Sequence, residues 1–290
     1  MSINLKDSKT IQELLIYGAR KLEAVGINTA NLESRILMQY ITNQPIEYLL
    51  ARFEEVLPLY QQIKFGELIN RRLTLEPIAY IIGTKEFYGY QFIVNNKVLI
   101  PRQDTEILVE AVLNEQNSLG VETTILELGT GSGCIAISLL LERRDIKATA
   151  TDISQDALVI ATHNAKRHNV LTRLSIIHSD WFQNLAEQKC DIIVSNPPYI
   201  SYNDRRYMSP ETLKYEPKTA LFAENNGLAA YHIIAQSAKK FLKGQGKIFL
   251  EIGFNQAEMV KEIFSHYHYT FKQLYRDLGN QDRALVFSVS

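Results

Sequence analysis

Apolar side chains recur at helical spacing through the first third of the chain. In the segment "TIQELLIYGARKLEAVG" they fall close to a 3.6-residue period, at Ile11, Leu14, Leu15, Ala19, Leu22 and Val25. Gly26 follows as a residue typical of a helix C-terminus. The same pattern continues to "NRRLTL". We therefore predict a small all-α domain over residues 1–75, with residues 70–72 on a solvated helix face.

The pattern changes beyond residue 75. The segment "KEFYGYQFIVNNKVLIPR" is rich in aromatic and β-branched residues, and it has turn residues at Gly89, Asn95 and Asn96. This combination predicts a β-hairpin. We assign residues 76–104 to a β-hairpin linker.

Strand-like and helical segments alternate from residue 105 to residue 290. Seven short runs read as strands: "TTILELG", "KATATDI", "RLSIIHSD", "KCDIIVSN", "GKIFLEI", "FKQLYRD" and "RALVFSV". Amphipathic segments such as "SQDALVIATHNAKRHN" read as helices. The alternation predicts an α/β fold with a parallel, Rossmann-like sheet of seven strands and helices on both faces. In such sheets ligands bind beyond the carboxyl ends of the strands.

Composition excludes several classes of protein. With 290 residues, 46% of them hydrophobic, the chain can bury a large core, and its net charge of -1 does not indicate a phosphate-tracking protein. Cys134 and Cys190 lie far apart and the histidines form no ligand set, so we expect free thiols and no metal. Without an apolar signal core or membrane-length run, the sequence predicts a cytoplasmic protein.

A glycine loop follows the first predicted strand of the sheet. "GTGSG", from Gly129 to Gly133, lets the backbone turn tightly and approach a ligand, but Cys134 stands where a dinucleotide fingerprint needs its third glycine. Asp152, at the end of the next strand, can accept the ribose hydroxyls of a nucleoside. A plain strand-to-helix turn is the alternative, but the loop and Asp152 together favour a nucleoside cofactor without a pyrophosphate, S-adenosylmethionine.

Trp181 follows the third predicted strand in "SDWF". Its ring can stack on the adenine of such a cofactor or simply close the edge of the core. Both interpretations stay open on the sequence.

Two consecutive prolines end the fourth predicted strand, in "SNPPYI". Proline restricts its own φ and the conformation of the preceding residue, so the turn holds Asn196 rigidly. The Asn196 side-chain oxygen and the Pro197 carbonyl can together accept both hydrogens of a planar amino group, and Tyr199 offers a face for stacking. The turn indicates methylation of an amide or of the amino group of adenine, cytosine or guanine.

These motifs together resemble the peptide chain release factor glutamine methyltransferases (the PrmC/HemK family), which are class I S-adenosylmethionine-dependent methyltransferases. The resemblance runs from about residue 70 to the C-terminus. It is carried by "EPIAYIIGTKEFYG", "VLIPRQDTEILVE", "ELGTGSGCIAISL", "DWF", "VSNPPYI", "EPKTALFAENNGLAAY" and "EIGFNQ". Among the amino methyltransferases, "IPRQDTE" and "EPKTAL" are the motifs that indicate the protein-glutamine family.

The resemblance implies an activity and a set of residue roles. The enzyme would methylate the side-chain amide of the Gly-Gly-Gln glutamine in class-one release factors and leave S-adenosylhomocysteine. The cofactor would lie on Gly129, Thr130, Gly131, Ser132, Gly133, Asp152, Trp181 and Asn196. Asn196, Pro197, Pro198 and Tyr199 would bind the glutamine, with Asn196, Pro197 and Tyr199 catalytic. The helical domain would recognise the release factor.

Three alternative functions stand beside that resemblance, and the sequence differs from the family pattern at two positions. A ribosomal-protein glutamine methyltransferase, an adenine amino methyltransferase acting on DNA or RNA, and a catalytically silent binding module remain as alternatives. We expect a monomer with no membrane contact and no direct nucleic-acid binding. Leu75 and Gln103 stand where the family often has glycine and proline. Arg102, Asp104 and Glu106 are candidates for lining the cleft, although Glu106 also fits a first-turn helix acid.

Overall fold

The computed structural model describes residues 9–116, 122–186 and 188–289. Its helices are α1 Ile11–Glu23, α2 Ala30–Thr42, α3 Ile46–Ala51, α4 Leu59–Leu73, α5 Ile78–Ile82, α6 Glu106–Gln116, α7 Cys134–Glu142, α8 Gln155–Arg167, α9 Pro210–Tyr215, α10 Lys218–Leu221, α11 Glu224–Gly227, α12 Ala229–Ser237 and α13 Ala257–His266. Its strands are β1 Thr84–Phe87, β2 Tyr90–Ile93, β3 Thr123–Leu128, β4 Ile146–Asp152, β5 Leu174–His178, β6 Cys190–Ser195, β7 Ile200–Ser201, β8 Phe222–Ala223, β9 Leu242–Glu251, β10 Tyr269–Arg276 and β11 Asp282–Val289. No helix in these ranges is both long and apolar enough to cross a membrane.

The chain divides into two compact units. The smaller unit contains the described residues up to Gly83 together with α9, and the larger contains the rest. These two units are defined by contacts within the chain alone. They do not test the roles predicted for residues 1–75, 76–104 and 105–290, which stay predictions.

The smaller unit is helical, as the apolar spacing predicted. A reciprocal capping box starts α1, because Thr10 accepts from the Glu13 amide and Glu13 accepts from the Thr10 amide. The predicted apolar positions of α1 are buried except Val25, which is 45% exposed because the helix has already ended at Glu23. Arg72 was wrongly predicted to face solvent: it is buried and pairs with Glu33 at 2.6 Å.

The larger unit is built on a seven-stranded sheet in the described part of the chain. The strand order is β10-β11-β9-β6-β3-β4-β5. The five strands from β9 to β5 are parallel, which confirms the α/β prediction. The prediction of a wholly parallel sheet is wrong at one edge, because β11 runs antiparallel to both β9 and β10. The five-residue connection between β10 and β11, residues 277–281, allows a hairpin but not a helical crossover.

Helices cover both faces of this sheet. Successive β3 residues alternate between the two cores, since Ile125 packs with α6 and α7 and Leu126 packs with α12 and α13. The predicted hairpin is confirmed as β1 and β2, which pair from Thr84–Ile93 to Phe87–Tyr90. Its turn is at Tyr88 and Gly89, both with positive φ, as a type I′ two-residue hairpin loop requires.

Candidate functional site

The predicted site residues follow strands that end side by side. Leu128, the last residue of β3, is in register with Thr151 of β4 and with Ser195 of β6. Gly129, Asp152 and Asn196 therefore emerge from the same carboxyl edge of the sheet. This is the position at which a doubly wound sheet binds ligands.

The loop from Gly129 to Gly133 turns through left-handed backbone conformations. The φ angles of Gly129, Gly131 and Gly133 are 71°, 55° and 83°. A Cβ atom added at Gly129 or Gly131 would meet nothing within 4 Å, whereas one at Gly133 would lie 2.9 Å from Ile137. The first two glycines thus border open space, and the third allows close packing of α7.

Asp152 anchors this loop from the end of β4. Its two carboxylate oxygens accept from the Gly131 amide at 2.8 Å and from the Ser154 amide at 2.9 Å. Burial raises the pKa of Asp152, and the two amide bonds oppose that rise. The carboxylate is thereby held in one orientation beside the loop, with lone pairs left for a ligand.

A second carboxyl group lies beneath the loop and was missed from the sequence. Glu127 is fully buried, and one of its oxygens accepts from the Thr130 hydroxyl at 2.6 Å and from the Ala136 amide at 3.3 Å. Burial raises its pKa to about 8. Its other oxygen has no hydrogen-bond partner among the described residues. A buried acid with a free oxygen favours a cationic neighbour, because a nearby positive charge stabilises the ionised form.

Trp181 has an unusual backbone conformation. Its φ is 51°, which is rare for a bulky residue, and its carbonyl accepts from the Ser179 hydroxyl at 3.0 Å. The same hydroxyl accepts from the Asn184 amide at 3.1 Å. Backbone strain of this kind is concentrated at active sites and ligand-binding sites.

The proline turn continues directly from β6. The Asn196 side-chain nitrogen donates to the Thr105 hydroxyl at 3.2 Å, and Pro197 is buried. The Tyr199 hydroxyl donates to Glu251 Oε1 at 3.2 Å, and its ring packs against the core around α12 and α13. Tyr199 is therefore held at both its ring and its hydroxyl.

Two residues from later in the chain hold the Tyr199 carbonyl. The Gln256 side-chain nitrogen donates to it at 2.9 Å. Gly227, with φ of 85°, lies so close that an added Cβ would be 2.1 Å from the carbonyl oxygen. Neither contact was foreseen, because the motifs "NNGL" and "GFNQ" were noted only for their likeness to the family.

Glu216 connects the two motifs, "IPRQDTE" and "EPKTAL", that indicated the protein-glutamine family. Its carboxylate accepts from the Ile100 amide at 3.1 Å and from the Arg102 guanidinium at 2.5 Å. "IPRQDTE" and "EPKTAL" are thus in contact.

The three charged candidates of "IPRQDTE" pair with other protein groups, and among the described residues none of them lines the cavity beside the glycine loop. Arg102 binds Glu216, and Asp104 pairs with Arg283 at 3.4 Å. Glu106 accepts from the Tyr88 amide at 3.0 Å in the hairpin turn.

A cavity of about 330 Å³ is bordered by the glycine loop, the end of β4 and the proline turn. Predicted residues on its wall are Gly129, Gly131, Asp152, Trp181, Asn196 and Pro198. Residues that were not predicted include Val98, Leu99, Ile153, Tyr202, Thr219 and Phe222. Thr130, Ser132, Gly133, Pro197 and Tyr199 are sequence neighbours of wall residues, but none of them lines the cavity in the described part of the chain. The individual binding and catalytic roles of all these residues stay predictions.

Comparison with known proteins defines the class of the chain. Residues 102–274 match the methyltransferase small domain, and residues 13–83 match the PrmC N-terminal domain. The crystal structure of a methyltransferase from Pyrococcus furiosus shares the fold over 70% of this chain and 91% of its own, with a TM-score of 0.52 and 19% identity. The chain is a member of the methyltransferase small-domain class.

Curated relatives define the family within that class. The release factor glutamine methyltransferase of Shewanella oneidensis is 38% identical over 97% of both chains. The chain belongs to the release factor glutamine methyltransferase family. A bifunctional methyltransferase of Rickettsia bellii is 50% identical over 97% of this chain but only 55% of its own length. The chain thus spans about half the length of that and similar bifunctional relatives.

Proposed function

We propose that this chain transfers a methyl group from S-adenosylmethionine to the side-chain amide of the Gly-Gly-Gln glutamine in class-one peptide chain release factors. One observation carries the proposal: Asn196, whose side-chain oxygen can accept from a planar amino group, lies on the same cavity wall as Gly129, Gly131 and Asp152. Membership of the release factor glutamine methyltransferase family supports the choice of substrate.

The cavity residues fit S-adenosylmethionine. Gly129 and Gly131 leave room for close approach of a ligand, and the oriented Asp152 carboxylate can accept ribose hydroxyls. Trp181 lines the same cavity and can cover an adenine ring. When bound, S-adenosylmethionine supplies a methyl group on a positively charged sulfur. A positive charge near the glycine loop would favour the ionised form of buried Glu127, whose pKa is raised to about 8.

The proline turn meets the needs of the amide substrate. An amide nitrogen is a poor nucleophile because its lone pair is delocalised. Asn196 Oδ1 and the Pro197 carbonyl would accept its two hydrogens, orient it for attack, and stabilise the positive charge that develops on it. The proton is then lost to water. Holding the acceptors rigidly avoids reorganising them during the reaction, which is how preorganised polar groups accelerate reactions.

The remaining assignments belong to the same proposal. Residues 1–75 would recognise the release factor, residues 76–104 would link the domains, and residues 105–290 would carry the methyltransferase activity. The protein would act as a monomer in the cytoplasm.

The direct test offers labelled S-adenosylmethionine to a class-one release factor, a ribosomal protein and DNA or RNA, and locates the methyl group by mass spectrometry. Methylation of the Gly-Gly-Gln glutamine supports the proposal, and methylation of a base or of the ribosomal protein alone would refute it. Asn196→Ala should lower turnover on the order of 10²–10³-fold, with a much smaller effect on the cofactor dissociation constant. Asn203→Ala, which changes an exposed asparagine nearby, is the matched control.

A further inference from the structure

Tyr202 is an exposed aromatic residue whose ring is held in one orientation. Its ring stacks on that of Phe222, with the two centroids 4.9 Å apart and the ring planes inclined by 15°. Phe222 is only 7% exposed, whereas Tyr202 is 59% exposed. Because Phe222 covers one face of the Tyr202 ring, the opposite face is the one that remains open for a ligand. The pair therefore presents a flat apolar surface on a buried support.

The backbone around Tyr202 is held as well. Strands β7 and β8 pair in parallel and place Ser201 opposite Ala223. The Ser201 hydroxyl accepts from the Asn203 amide at 3.2 Å and caps the short 3-10 helix that begins at Tyr202. The exposed ring thus belongs to an ordered part of the chain, and little conformational freedom would be lost when a ligand binds to it.

The stacked pair lies on the side of the cavity that carries the proline turn. Tyr202 and Phe222 line the same cavity as Asn196, and Tyr202 follows Asn196 in the segment that leaves β6. The proposed ribose acceptor Asp152 ends β4, which is separated from β6 by β3. We therefore assign the open ring face to the substrate, next to the group that would hold the glutamine amide.

The main chain of glycine residues is the ligand that such a surface fits. In the proposed substrate, two glycines precede the glutamine. Glycine has no Cβ, so either side of its backbone can approach a flat ring closely. Peptide N–H groups also make favourable contacts with an aromatic face. A side chain directed at the ring would hold the backbone away and draw the glutamine out of reach of Asn196.

We propose that Tyr202, supported by Phe222, is a specificity-determining residue whose open ring face binds the glycyl main chain preceding the substrate glutamine. The inference rests on the proposed function and adds how the enzyme would read the residues beside the glutamine. The alternative is an ordinary surface tyrosine, since single exposed rings are common. Tyr207 represents that alternative: it lies in the same 3-10 helix, is 74% exposed, and does not line the cavity among the described residues.

The test compares Tyr202→Ala, which removes the ring, with Tyr202→Phe, which keeps its face, and uses Tyr207→Ala as the matched control. Each enzyme is assayed with a class-one release factor and with two versions of it, in which alanine replaces the first or the second glycine before the glutamine. Steady-state kinetics, calorimetry with S-adenosylmethionine and thermal unfolding are measured throughout.

The expected result is a change in substrate discrimination. For Tyr202→Ala, kcat/KM on the normal release factor should fall on the order of 3–10-fold, the usual worth of an aromatic contact. The alanine-containing substrates do not make this contact, so their kcat/KM should change little. The preference of the enzyme for two glycines should therefore narrow by the same factor. Tyr202→Phe and Tyr207→Ala should both behave as wild type, and none of the variants should alter the cofactor dissociation constant.

Four results would overturn the inference and leave the proposed function standing. They are an unchanged preference for glycine in Tyr202→Ala, the same loss in Tyr202→Phe as in Tyr202→Ala, an equal change of preference in Tyr207→Ala, and a weakening of cofactor binding that accounts for the whole loss. If Tyr202→Ala does not fold, Tyr202→Leu replaces it, because leucine fills similar space without a flat face, and the same expectations apply. A wild-type protein that methylates no release factor would overturn both proposals.

Discussion

Replacing Gly227 by alanine tests whether residues distant in sequence keep the proline turn in place. Gly227 has φ of 85°, and an alanine Cβ there would lie 2.1 Å from the Tyr199 carbonyl oxygen and 3.0 Å from Gln256 Nε2. The left-handed backbone costs about 1–2 kcal/mol for a residue with a Cβ. Relief of the overlap costs about 1–3 kcal/mol more. Together we expect Gly227→Ala to lower the free energy of unfolding by about 2–5 kcal/mol.

The overlap has a second effect, on catalysis. The Tyr199 carbonyl cannot move away without lengthening its bond to Gln256, so the strain is transmitted to the turn that carries Asn196. A displacement of about 1 Å in a positioning group can cost about 10²-fold in rate. We therefore expect kcat of Gly227→Ala to fall by about that factor.

Gly89 offers a matched control in the same unit. Its φ is 76°, but an added Cβ would meet nothing within 4 Å. Gly89→Ala should lose only about 1–2 kcal/mol and keep wild-type turnover. Urea denaturation with release-factor methylation assays separates the two variants. Equal destabilisation of both, with normal turnover in Gly227→Ala, would refute the argument that the Tyr199 carbonyl needs this glycine.

Three further predictions concern individual carboxyl groups. Burial raises the Glu251 pKa from 4.5 in the unfolded chain to about 7. Between these two pH values the folded state therefore binds more protons than the unfolded state. The free energy of unfolding of the wild type, relative to Glu251→Gln, should fall by about 3 kcal/mol as pH rises from about 4.5 to 7. Denaturation experiments across pH on the wild type and Glu251→Gln measure this difference. Glu216→Gln should lower the free energy of unfolding by about 1–3 kcal/mol and speed hydrogen exchange of the Ile100 amide, and unchanged exchange would count against it. Asp152→Ala should raise the S-adenosylmethionine dissociation constant in calorimetry, and an unchanged constant would contradict the ribose assignment.

The central strands could be predicted because burial on both faces leaves a clear signal. "TTILEL" and "CDIIVS" are short, nearly continuous apolar runs, and they form β3 and β6 as expected. The glycine loop and proline turn could be located for the same reason, since each follows directly after such a run. Their shared position at one edge follows from parallel pairing alone.

The segment between the proline turn and α12 could not be predicted in this way. It consists of short elements such as β7, α10 and β8, which are too brief to show a period. Asn225 and Asn226 both adopt left-handed conformations, which no apolar pattern indicates. Side chains that bridge distant segments, such as Glu216 to Ile100, depend on pairing across the fold and leave no local signal.

The proline turn restricts the backbone, but it does not by itself orient an acceptor. Three contacts from distant parts of the chain remove the remaining freedom, each in a different way. Thr105 contacts the Asn196 amide, Gln256 binds the Tyr199 carbonyl, and Gly227 leaves the space which that carbonyl occupies. Because each contact acts on a different atom, none can replace another. The geometry that the proposed reaction needs is therefore a property of the assembled sheet edge, and the four residues "NPPY" in another setting would retain the rigid backbone without the oriented amide.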